Sequence, residues 1–157
     1  GPNGRSWLWD LAADAEGRPV IVYAVFPSED DHRYRYARWN GISWDDHEIT
    51  SAGRWFPDAP ETGSRFEPYY SGGLCLDHSD PSVVYLSRPV NGIFEIERWT
   101  TSDGGATWES VPVTAGSAGN NVRPVVPRSA RSDGPRVIWM HGEYTDYLDY
   151  RTDLRTR

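Results

Sequence analysis

The side chains here with the most obvious capacity for chemistry are arginine, histidine and tyrosine. All 16 basic residues are Arg, and Lys is absent. A GC-rich genome would produce that bias. Functionally, the guanidinium fork suits carboxylate recognition through two parallel hydrogen bonds. Histidine accepts a proton near neutral pH, whereas tyrosine does so only when nearby cations lower its pKa. The proton-transfer candidates are His32 or His141 with Tyr70 or Tyr144. Arg65, Arg88 and Arg123 are candidates for carboxylate binding, with Arg5, Arg33, Glu67 and Asn121 as further substrate contacts. Each has a structural reading beside it. Glu29–His32 is equally a solvated loop tip, and Arg123, next to Pro124, equally pins its strand through a carboxylate. His47 and His78 border turn-like or outer-strand segments and read as structural or solvated.

The elements that must position these residues are strands. With 8 Trp, 9 Tyr, 15 Gly and 12 Pro in 157 residues, the composition is that of short strands and tight turns, an all-β chain of one domain. Three segments align by pattern. The first is Trp7–Asp14, Pro19–Phe26, Tyr34–Trp39 and Trp44–Ile49; the second is Tyr70–Asp77, Ser82–Ser87, Phe94–Thr100 and Thr107–Val113. The third is Arg123–Pro127, Pro135–Met140 and Asp146–Tyr150. The anchors Val20–Tyr23, Val83–Leu86 and Val137–Trp139 begin 63 and 54 residues apart. A repeat of that size made of short strands reads as β-propeller blades, here about 7–50, 70–114 and 123–151 within one unit 3–157. The third blade stops after its third strand, and Gly1-Pro2 looks like a protease-cleavage scar. Propellers close with about 4–8 blades. The expectation is therefore the C-terminal half of a larger propeller, or one of several copies that assemble. The expected protein partner is another propeller half, since bare sheet edges invite aggregation.

The turns carry their own signals. Trp39-Asn40-Gly41-Ile42-Ser43-Trp44 is a hairpin. Thr101–Trp108 is a second, with Asp103 capping the turn, Gly105 at positive φ and Trp108 folding back as an apolar lid. Trp39, Trp44, Trp99, Trp108 and Trp139 are expected to pack between blades. The loops Pro27–Arg33, Arg88–Ile93, His141–Thr145, Thr50–Tyr69 and Thr114–Val122 should gather at one end of the blades. The candidate residues come from those loops and the strand starts beside them, where a rigid scaffold usually carries its site.

The spacing of Thr101, Asp103, Gly105, Thr107 and Trp108 resembles the Asp-box of BNR-repeat propellers, a group that includes sialidases. In that family the Asp-box lies on the face opposite the active site. The strings Asp31–Trp39, Tyr69–Asp77, Glu95–Thr101 and Asn121–Arg128 together resemble the BNR-4 type, which is similar to ulvan lyases and rhamnose–glucuronate-cleaving enzymes. The resemblance implies a secreted or periplasmic protein acting on a uronate-containing polysaccharide or oligosaccharide. It also implies His and Tyr as acid and base, with Arg on the uronate. Neutralising the uronate carboxylate makes the C5 proton acidic, and a base then removes it. Known members carry a Cys/His zinc site. The single Cys75 supplies no such cluster, so neither metal nor cofactor is expected.

Other classes fit less well. A net charge of -7 without a basic stripe argues against nucleic acid, although a local Arg cluster can still hold an anion. No apolar run reaches membrane-spanning length, so no membrane partner is expected. Gly72-Gly73 enters a strand rather than a helix, and no G-x-S-x-G elbow occurs. Glu29-Asp30-Asp31 lacks the ligand ladder of a calcium loop. A hydrolytic carboxylate pair stays open. Three functions follow: a lyase or hydrolase on an acidic polysaccharide, a non-catalytic glycan-binding propeller, or an assembly module.

Overall fold

The computed structural model describes residues 5–54, 72–128, 134–145 and 148–157, which hold strands and no helix. The strands are β1 (Ser6–Ala13), β2 (Pro19–Ser28), β3 (Asp31–Trp39), β4 (Trp44–Gly53), β5 (Leu74–Leu76), β6 (Val83–Val90), β7 (Ile93–Thr100), β8 (Glu109–Pro112), β9 (Asn120–Val125), β10 (Ile138–Tyr144) and β11 (Tyr150–Thr156). They form three antiparallel sheets in chain order: β1–β4, β5–β8 and β9–β11. The chain is thus all-β, with strands close to where alternation and turn residues put them.

Three expected loops are shorter than the sequence suggested. Residues 32–36 alternate between buried and half-buried, so His32 and Arg33 belong to β3 and the turn before it is only Glu29-Asp30. Arg88 lies within β6; Asn91 and Gly92 close that hairpin with φ of 53° and 86°, the pair of left-handed residues a two-residue turn requires. β10 runs through His141 to Tyr144, and β9 starts at Asn120. The expected strand Asp146–Tyr150 is displaced along the chain: Leu148 and Asp149 form a bend, and the strand is β11, Tyr150–Thr156.

The inner part of the middle sheet, β5 and the buried stretches of β6 and β7, is covered on both faces, while β8 is exposed. Leu74, Leu76, Val84 and Leu86 pack with Val20, Val22, Ala24, Tyr34 and Tyr36 of the first sheet. The alternate residues Cys75, Val83, Tyr85 and Ile96 pack with Val126, Val137 and Trp139 of the third. Each fully buried Val, Leu or Ile contributes about 1.5–3 kcal/mol.

Strand directions define two ends. At the upper end are the β2–β3, β6–β7 and β10–β11 connections and the starts of β5 and β9. At the lower end are the β1–β2, β3–β4, β5–β6 and β7–β8 turns. The β7–β8 turn is closed by its own side chains. Asp103 accepts the Thr107 amide at 2.9 Å and its hydroxyl at 2.6 Å, and also takes the Thr101 hydroxyl at 2.9 Å. Trp108 folds back, donating Nε1–H to the Gly105 carbonyl at 2.9 Å. Its ring meets Tyr36 of the first sheet edge-on at 5.3 Å.

Two glycines in this turn separate backbone strain from packing. At Gly104 (φ +75°) a Cβ would meet nothing within 4 Å, whereas at Gly105 (φ +104°) it would lie 2.7 Å from Tyr36 Cδ1. Gly104→Ala is expected to cost about 1 kcal/mol and Gly105→Ala about 2–3 kcal/mol in chemical unfolding. Equal costs would mean that the turn does not press on the first sheet. The Thr107 hydroxyl and amide, then the Thr101 hydroxyl, pull the Asp103 carboxyl down to about 2 from the ordinary 3.8. A carboxyl lowered by folding adds stability above its unfolded value, and that contribution fades as pH falls from about 4 to about 2. Carboxyl NMR should show Asp103 titrating near the lower value. A midpoint near 4 would contradict the bonding pattern.

Candidate functional site

The upper end of the third sheet holds a buried polar cluster centred on Asn121. Antiparallel register sets Asn121 on β9 opposite His141 on β10. Asn121 is 1% exposed. Its Nδ2 donates to the Phe94 carbonyl and to Glu95 Oε2, both at 3.0 Å. Both partners only accept, so the orientation of the amide is set by the network. Oδ1 is then the acceptor. It takes Trp139 Nε1–H at 2.9 Å and meets His141 Nδ1 at 2.8 Å. His141 Nδ1 must therefore carry the hydrogen, which leaves Nε2 as the lone-pair nitrogen of the neutral ring. Among the described residues nothing bonds to that nitrogen. His141 is a partly exposed base in one tautomer, aimed by an amide as catalytic imidazoles are aimed by their second partner.

Glu95 anchors the amide. It is 2% exposed. Its oxygens accept the Ser117 amide and hydroxyl at 2.8 Å and the Thr114 hydroxyl at 2.5 Å, besides Asn121. No cation pairs with it among the described residues, so four hydrogen bonds replace the water that the carboxylate lost.

Arg123 lies two residues along β9. Its φ is +57°, left-handed for a side chain that gains nothing from it, and the residue precedes Pro124. The strain sits at an irregularity of register between Ile138 and Met140, where Arg123 N–H donates to the Gly72 carbonyl at 2.7 Å. The bend carries its guanidinium over the Tyr144 ring, 5.5 Å from the centroid. Among the described residues Arg123 makes no ion pair. Tyr144 is 3% exposed and stacks on Tyr150 at 6.0 Å.

The other sequence candidates are held elsewhere. His32 has no exposed surface and sits against Phe26 at 4.5 Å and Tyr34 at 4.9 Å. Arg5 pairs with Glu29, and Arg33 bridges Asp31 and Glu48. Arg88 forks onto Glu97 at 2.7 and 2.9 Å. Arg65, Glu67 and Tyr70 lie outside the described residues. His78 bonds Asp10 at 3.1 Å, tying β1 to the turn after β5. Of the candidates, His141 and Asn121 form one pair and Arg123 and Tyr144 another, on the same two strands. Sequence reasoning missed Glu95, Thr114, Ser117 and the polar role of Trp139. The available signal was Glu95 within Phe94-Glu95-Ile96, an acid amid buried positions. Among the described residues no three His, Cys, Asp or Glu side chains converge as a metal site would need.

Comparison with family models, curated proteins and solved structures finds no match to this chain.

Removing Asn121 tests the network. Asn121→Ala strips the partner from Trp139 Nε1 and from the Phe94 carbonyl, and should cost about 3 kcal/mol. Nitrogen NMR should show neutral His141 as the Nδ1–H tautomer in the parent and as a mixture in the variant. A parent with the hydrogen on Nε2 would contradict the geometry.

Proposed function

We propose that this chain is a segment of a β-propeller of the Asp-box kind, resembling the BNR-4 type. On this reading it acts on an acidic, uronate-containing polysaccharide by lyase or hydrolase chemistry, in a secreted or periplasmic setting. The observation that carries the reading is His141, held in one tautomer by Asn121 with Nε2 unbonded among the described residues. In the elimination, that nitrogen takes the C5 proton. The electron pair left behind forms the C4–C5 double bond and expels the O4 glycosidic oxygen, which picks up a proton from water, and the guanidinium of Arg123 binds the uronate carboxylate. Three meander sheets stacked in chain order support the propeller reading. So does apolar surface left bare on the flanking sheets, at Trp7, Leu8 and Leu11 of β1 and Tyr150 and Leu154 of β11. Another propeller half, of this or another chain, would cover it.

The test is product formation from uronate polymers. The protein is expected to release new reducing ends, with a C4–C5 double bond if the chemistry is elimination. His141→Ala should lower kcat by about 100-fold or more at unchanged fold. Arg123→Ala should mainly raise KM. Saturable binding without products would favour the glycan-binding alternative. Unchanged cleavage by His141→Ala would contradict the assignment.

A further inference from the structure

The lower end of the sheets holds a second polar site. A cavity of about 560 Å³ opens there between the first and middle sheets, within the range of small-molecule pockets. Four separate pieces build it: the turn Asp14–Arg18, the end of β3, the turn Asp77–Ser82 and the start of the β7–β8 turn. Asp14 and Asp77 stand 63 residues apart, the spacing of the first two strand anchors, and each caps its turn by accepting backbone amides. The cavity is therefore made where equivalent turns of two sheets meet.

One of its walls is a buried side chain with unused bonding capacity. Tyr36 is 2% exposed, yet its hydroxyl makes no hydrogen bond among the described residues. The ring is locked by Trp108 and by the close approach of Gly105. Burial pushes its phenol pKa up, and the charges acting on it are those of Arg38, Asp14 and Asp80, all in the cavity lining. The residue lines the cavity, and its unbonded hydroxyl is not among the polar atoms sealed from solvent, so the hydroxyl faces the cavity.

Its neighbours offer both donors and acceptors. Arg38 spends Nε and Nη2 on Asp14 and Glu16, leaving the Nη1 hydrogens without a partner among the described residues. Asp80 uses Oδ1 for Ser82, leaving Oδ2. Asp14 is saturated by two backbone amides and Arg38. An anion would meet Asp80 and Glu16, and a cation would meet Arg38. A hydroxyl group both donates and accepts, so a ligand that carries several can bond to each of the three kinds of group.

We propose that this cavity binds a neutral, hydroxyl-rich ligand of about monosaccharide size, through the hydroxyl of Tyr36, Arg38 Nη1 and Asp80 Oδ2. The site is independent of the uronate reading, being at the opposite end of the sheets and made of different residues. The experiment is an NMR titration of the full chain with the neutral methyl glycosides of glucose, galactose and mannose, using ethanolamine and galacturonate as charged controls. At least one glycoside should shift the amides of Tyr36 and Thr101–Gly105 and leave Asn121 unmoved. Tyr36→Phe deletes an oxygen that has no bond to lose, so thermal stability should hold while affinity falls about fivefold. Asp80→Asn should weaken binding as well, and the Trp108 ring signals report that each variant keeps its fold. The proposal is overturned if no glycoside shifts these amides, if Tyr36→Phe binds as well as the parent, or if only a charged control binds there.

Discussion

The inner part of the middle sheet, β5 with Val83–Ser87 of β6 and Phe94–Glu97 of β7, has no free face, and the rest of the molecule depends on that. Val83, Val84, Tyr85 and Leu86 are buried in succession because the first sheet takes alternate side chains and the third takes the others. By contrast, β2 and β3 of the first sheet keep ordinary alternation. Ser87, at the end of the run, joins all three. Its carbonyl accepts the Tyr34 hydroxyl at 3.0 Å, and its hydroxyl donates to the Asn121 carbonyl at 2.6 Å. The apolar packing brings the sheets together without direction; these bonds give the upper end its register.

The Asn121 cluster follows from that register. A carboxylate at 2% exposure with no cation beside it among the described residues is costly unless hydrogen bonds replace its lost water. Glu95 is tolerable only because the segment between β8 and β9 brings Thr114 and Ser117 back over it. In return, the amide beside it has one permitted orientation, and so does the imidazole. The arginines contrast with this. Arg33 and Arg88 are paired with carboxylates on neighbouring strands, whereas Arg123, on its strained turn of backbone, makes no ion pair among the described residues.

What was legible in the chain was what is local. Alternation and turn residues gave the strands of the first two sheets, and Thr101–Trp108 showed its geometry in its spacing because every side-chain bond within it spans four residues or fewer. His32 shares the parity of Tyr34 and Tyr36, and that alternation already placed it on the buried face; the acidic run before it suggested a loop instead. Bonds between sheets were not legible. Asn121 meets Glu95 across 26 residues and Trp139 across 18, and no local pattern encodes either. Trp139 was expected to pack, and it does, but its indole N–H also sets the acceptor end of Asn121. The lower cavity was hidden for the same reason, since its four pieces come from two repeats.

Amide hydrogen exchange tests most directly whether the doubly covered sheet holds the molecule together. Protection follows the free energy of local opening, which is highest where both faces are packed. The backbone amides of β5, β6 and the buried part of β7 should exchange slowest and as one group. Those of β1 and β11, edge strands with exposed apolar side chains, should exchange orders of magnitude faster. If β11 were protected as well as β6, or if β6 exchanged with the edge strands, the middle sheet would not be the keystone described here.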